Sequence, residues 1–193
     1  MEDLAIFRAV PNMTVICPAD ANETVEAVKA IAAYDGPCYL RLNRNDYENV
    51  TAEGMPFSIG VPTVLREGTD VAVFACGYMV GLALQAAELL KDELSVRVIN
   101  VSTVKPLARD RIAELAAGVC GVVTAEEHNV LGGLGSAIAE VLSMSRLPIR
   151  FVGIQDEFGC SAHNYAELLA HYGLTKETIM DAVREIAAAA KKG

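Results

Sequence analysis

From Val71 onward, short apolar runs alternate with helix-length stretches. The crossovers are about a dozen residues long, which is too long for hairpins; they carry the chain over a sheet face and return it parallel. That spacing predicts an α/β fold, a mainly parallel sheet with helices on both faces. Strands are expected at Val71–Ala75, Val96–Val101, Gly121–Thr124 and Ile149–Ile154. Helices are expected at Met79–Lys91, Ala108–Ala117, Ser136–Ser143 and Tyr165–Tyr172, with a last one from a Thr175 cap to Ala190. Phe57–Arg66 reads as a further strand, and Glu67-Gly68-Thr69-Asp70 as a turn. Together with Val71–Ala75 it is expected to make a hairpin, adding one antiparallel strand.

The earlier residues read as the final part of a second α/β domain. Residues 2–10 look helical and run straight into Pro11, with no leading strand, so the chain is expected to be part of something larger. Met13–Cys17 is a short strand, and Asp20 with Glu23 has capping-box spacing for a helix to Tyr34. Asp35-Gly36-Pro37 ends that helix before a strand at Cys38–Leu42. The polar stretch from Tyr47 to Pro56 reads as a linker. The expected organisation is therefore 1–46, a linker at 47–56, and a main domain at 57–193.

Composition removes several classes of function. A net charge of -9 without a basic block argues against nucleic acid as a partner. No run of 18 apolar residues is present, so no membrane span is expected. The chain does not open on a basic stretch followed by an apolar one, so secretion is not expected. The 5 cysteines are scattered without a C-x-x-C pair, and only 3 histidines are available. Free thiols in a reducing, cytoplasmic setting follow, and a zinc site does not.

Three groups of residues are candidates for chemistry. Arg44 lies just past the carboxyl end of a strand, where open α/β sheets bind ligands, and a guanidinium grips phosphate bidentately. The alternative is a loop arginine paired with Asp46 or Glu48; Arg41, inside the strand, reads as structural. Gly132-Gly133-Leu134-Gly135 lies between a strand and a helix, fit either for an anion or for tight packing. It matches neither a dinucleotide fingerprint nor a Walker loop. Glu126-Glu127-His128 could run acid–base chemistry, make intersubunit contacts, or form a solvated loop. His163 and His171 flank a short helix and read as surface or partly packed residues.

Several stretches are familiar in combination. Glu2-Asp3-Leu4-Ala5, Pro11-Asn12-Met13, Cys17-Pro18-Ala19-Asp20 and Leu40-Arg41-Leu42-Asn43-Arg44 resemble the later part of the transketolase pyrimidine-binding domain. Phe57-Ser58-Ile59-Gly60, Val104-Lys105-Pro106-Leu107, Thr124-Ala125-Glu126-Glu127-His128-Asn129, Gly132–Ser136 and Tyr172-Gly173-Leu174-Thr175 resemble the transketolase C-terminal domain. The likeness covers essentially the whole chain. 1-Deoxyxylulose-5-phosphate synthases are similar over the same stretch, but their strand typically ends in a Tyr-Pro-Arg-Gly-like sequence. Here it is Leu42-Asn43-Arg44-Asn45, which favours transketolase.

The resemblance implies transfer of a two-carbon ketol unit from a ketose phosphate to an aldose phosphate, with thiamine diphosphate and Mg2+ in the complete enzyme. It implies that Arg44 contacts the sugar phosphate. No residue here matches the family's Gly-Asp-Gly cofactor motif or its catalytic glutamate, and Glu2 is assigned no chemistry. The chain alone is thus expected to be inactive and without bound cofactor. Its expected partners are an N-terminal subunit or missing upstream segment, and a second copy in a homodimer. A non-catalytic α/β assembly module is the reading from a different class.

Overall fold

The computed structural model describes residues 1–190. The first segment contains α1 (Asp3–Ala9), β1 (Thr14–Ile16), α2 (Ala21–Ala32) and β2 (Cys38–Leu40). Then follow β3 (Thr63–Arg66), β4 (Val71–Ala75), α3 (Met79–Leu89), β5 (Val96–Asn100) and β6 (Thr103–Lys105). The chain continues through α4 (Arg109–Ala116), β7 (Val122–Asn129), α5 (Leu134–Val141), β8 (Ile149–Ile154), α6 (Tyr165–His171) and α7 (Lys176–Ala190).

Every residue of β4 is buried, as a strand covered on both faces requires. Period two divides it. Val71, Val73 and Ala75 enter a core with Ala83 and Ala87 of α3 and Ile179 and Val183 of α7. Ala72 and Phe74 enter a core with Ile112 of α4 and Leu134 and Ile138 of α5. Leu4 of α1 and Val15 of β1 belong to this second core, so the first segment shares its packing.

The main sheet has the order β3-β5-β4-β7-β8. All neighbours are parallel except β3, which runs antiparallel to β5. The antiparallel strand is therefore present, but the expected hairpin is not. β3 skips β4 and pairs with β5, with Val64 opposite Ile99. Gly68 lies against the backbone of Val96 and Arg97, which steers the 67–70 turn past β5 rather than back along β3.

A strand that the spacing does not announce joins the two parts. β6 pairs antiparallel with β1, giving a second sheet of order β2-β1-β6. The 47–56 stretch is coil, yet it is fastened: Asp20 accepts from the backbone N–H groups of Val50 at 2.7 Å and Thr51 at 2.6 Å. No helix among the described residues is long and apolar enough to cross a membrane.

Candidate functional site

The main sheet turns at β4. β5 lies to one side of it and β7 to the other. α3 leaves β4 towards one face, while α5 leaves β7 towards the opposite face. Such a divergence opens a crevice at the carboxyl ends of the strands, the usual ligand position in open α/β sheets. Here the first segment fills it. Gly77 N donates to Cys17 O at 3.2 Å, and Asn129 N donates to Met1 O at 3.0 Å. Arg41 reaches in from just past β2; its Nη2 donates to Glu127 O at 2.9 Å and its Nε to Asp3 Oδ2 at 3.0 Å. Arg41 lies one residue past β2 rather than inside it, and it both makes these ties and lines the cleft beside Arg44.

The glycine turn is also self-occupied. β7 runs to Asn129, so Glu126, Glu127 and His128 lie within a strand and not on a solvated loop. Glu126 is fully buried, and its carboxylate accepts from Leu134 N at 2.6 Å and Gly135 N at 2.8 Å. A side-chain carboxylate therefore sits at the α5 N-terminus, where an anion would otherwise bind. Gly133 must lack a side chain, because a Cβ there would run into that carboxylate. Gly132 has φ +80°, and its carbonyl accepts from Arg8 of α1.

Burial pushes the Glu126 carboxyl up to about 7, against the pull of its two backbone donors and of the Arg8 and Arg41 charges. His128 is also fully buried. Its Nδ1 is 2.6 Å from Asn129 O, and its Nε2 accepts from Ala5 N at 3.3 Å. These contacts assign the proton to Nδ1, and burial holds the imidazole below its usual range. The pair clamps α1 and α5 onto β7.

Two open clefts lie beside Arg44. A cleft of about 560 Å³ separates the loop after β2 from the start of α6, with Glu127 and His163 among its lining residues. A second cleft of about 410 Å³ lies between the same loop and the start of α2. Arg44 lines both. It is exposed and makes no hydrogen bond or ion pair among the described residues. The alternative pairing with Asp46 or Glu48 is not what the fold builds.

Asn43, Tyr47 and Tyr165 also line these clefts and are not among the candidates of the sequence reading. Asn43 Nδ2 donates to Tyr165 Oη at 2.6 Å and lies 3.2 Å from Glu127 Oε2. Tyr165 and Tyr47 both pack edge-on against Tyr78, with centroid distances of 5.3 and 5.1 Å. Burial raises the Glu127 carboxyl, while Arg41 opposes that shift. Asn43 is adjacent to Arg44, and a polar residue just past a strand end was the available signal. Nothing local marks Tyr165 or Tyr78. His163 is exposed at the cleft, and His171 packs edge-on against Tyr172 at 4.8 Å.

Comparison with known proteins gives a consistent picture. Residues 60–179 match the family model for the transketolase C-terminal domain, and residues 1–49 match that for the transketolase pyrimidine-binding domain. A 6-deoxy-6-sulfo-D-fructose transketolase subunit from Clostridium sp. (strain MSTE9) is 41% identical over 189 residues, covering 96% of this chain and 58% of that protein. A 1-deoxy-D-xylulose-5-phosphate synthase from Heliobacterium modesticaldum is 37% identical over 96% of this chain and 29% of its own length. The solved structure of a split-gene transketolase, described as an inactive β4 tetramer, superposes with a TM-score of 0.92 at 44% identity. That match covers 97% of this chain and 62% of the other. The chain thus spans 58% of the length of several curated relatives it matches.

Proposed function

This chain belongs to the transketolase family, and from that premise we propose that it is the C-terminal portion of a two-subunit transketolase. In this reading the complete enzyme moves a two-carbon ketol unit from a ketose phosphate to an aldose phosphate, in the cytoplasm. Arg44 contacts the sugar phosphate. The observation that carries the reading is the guanidinium of Arg44, exposed past the end of β2, open to two clefts and unpaired among the described residues. A permanent cation in that position attracts a phosphate without first breaking an internal ion pair.

Among the described residues no group of three or more His, Cys, Asp or Glu side chains could hold a metal ion. No step is assigned here through the cofactor. Thiamine diphosphate would supply the carbanion chemistry of the complete enzyme. This chain would bind and orient the sugar and join the subunits, both to an N-terminal partner and to a second copy of itself. The inactive β4 tetramer of the split-gene relative supports a chain that does not turn over substrate alone.

Reconstitution tests the reading. The isolated chain should show no ketol transfer, and mixing it with the N-terminal subunit of a split transketolase should restore it. In the assembled enzyme Arg44→Ala should raise KM for phosphorylated sugars by roughly 10- to 100-fold, the loss expected for one charged hydrogen-bonded contact. Equal losses for phosphorylated and unphosphorylated sugars would remove Arg44 from the site. The synthase-like relatives keep a second donor in view: release of carbon dioxide from pyruvate, without ketol transfer, would place the assembly with the deoxyxylulose-phosphate synthases.

A further inference from the structure

We propose that Tyr165, on α6, is a positioning residue that sets the loop carrying Arg44 and so tunes selectivity for phosphorylated sugars. The inference rests on the reading of Arg44 as the phosphate contact. The argument begins with the Asn43 side chain, which faces two ways. Its Oδ1 accepts from Asn45 N at 2.9 Å and from Asn45 Nδ2 at 3.3 Å, closing a small loop around Arg44. Its Nδ2 donates to Tyr165 Oη at 2.6 Å. The same amide therefore braces both neighbours of Arg44 and ties them to a residue 122 positions away.

Tyr165 is itself held. Asn164 caps α6, accepting from Glu167 N at 2.9 Å, which fixes the start of the helix. The ring packs edge-on against Tyr78. Its hydroxyl accepts from Asn43 Nδ2, and the Glu127 carboxylate accepts from that same amide at 3.2 Å. Glu127 is fixed in turn by Arg41, whose Nη1 stands 3.8 Å from Oε2. Tyr165 and the Arg41-held Glu127 thus converge on Asn43, a braced support that ends at the Arg44 backbone. It engages the Glu127 charge within the cleft wall and leaves the Arg44 guanidinium free. A guanidinium on a set backbone loses less freedom when a phosphate arrives, so loosening the support should weaken binding without touching the reacting atoms.

The test uses the assembled two-subunit enzyme. Tyr165→Phe keeps the ring and removes only the hydroxyl. The expected result is a rise in KM of about five- to tenfold for phosphorylated acceptors, with kcat changed less than about twofold. An unphosphorylated acceptor should show no matching rise. In an Arg44→Ala background the same change should add nothing, because the two residues act as one unit. Asn43→Ser, which cuts the support from the other end, should reproduce the pattern and serves if Tyr165→Phe lowers expression. A KM rise shared by phosphorylated and unphosphorylated sugars, or an undiminished effect in the Arg44→Ala background, would overturn the positioning role. If Arg44→Ala alone shows no phosphate selectivity, it is the underlying reading of Arg44 that falls, and the role of Tyr165 falls with it.

Discussion

Glu126 shows what a single buried carboxyl can do. Its two oxygens accept from consecutive N–H groups of the first turn of α5, which favours the ionised form. Burial favours the neutral form more strongly, and the carboxyl is pushed up to about 7. A folded-state value above the unfolded one means that the native state binds the extra proton. Stability from this group is complete below about 4.5 and is lost as pH rises through about 7. His128 works in the opposite sense, because its lowered value withdraws stability as pH falls through its usual range. Comparison with Glu126→Gln isolates the first effect. The amide can accept at only one oxygen and sets an NH2 against a backbone donor, a cost of about 1–3 kcal/mol. The wild-type advantage over Glu126→Gln, measured by urea unfolding, should shrink between pH 5 and pH 8 by up to about 3 kcal/mol. A difference that stays constant over that interval would show that Glu126 does not titrate there.

At the scale of elements, local signals were legible and pairings were not. The Asp20–Glu23 spacing announces a capping box, and Asp20 Oδ1 does accept from Glu23 N at 2.9 Å. What the spacing leaves out is the rest of the cluster. Asp20 also accepts from Val50 N, Thr51 N and the Thr51 hydroxyl, so one cap holds both α2 and the coil that follows β2. Asp20→Ala should cost on the order of 3 kcal/mol, a cap plus several donors left unpaired, with the urea midpoint as the measure. It should also open the 47–56 coil to limited proteolysis, and unchanged cleavage there would show that the coil is held by something else. The β3–β5 pairing and the β6–β1 bridge depend on partners tens of residues away. Alternation within β3 or β6 gives an apolar or mixed run and no address for it. The clefts divide the same way: the position of Arg44 at their edge was legible from its place past a strand end, whereas the Asn43–Tyr165 bond beside it spans 122 positions.

The whole molecule is tied together across the boundary that composition suggests. β6, from the later part, completes the sheet of β1 and β2. Glu23 of α2 accepts from Asn100 Nδ2 at 2.9 Å and from the Ser102 hydroxyl, deep inside. Arg41 and His128 carry further bonds between the two parts. Leu4, Val15 and Cys17 share one core with Phe74, Ile112 and Ile138. A first segment with only two short strands of its own has too little sheet to persist alone, since isolated strand pairs are marginal in water. Its stability must therefore be borrowed from the main sheet, and the two parts should unfold as one unit. Native-state hydrogen exchange reads this directly. Amides of β1 and β4 should open with the same free energy and the same denaturant dependence. Opening of β1 at a lower free energy, with a smaller denaturant slope, would mean that the first segment detaches while the main sheet stays folded, and that Arg44 is then carried on a separable flap rather than on the body of the protein.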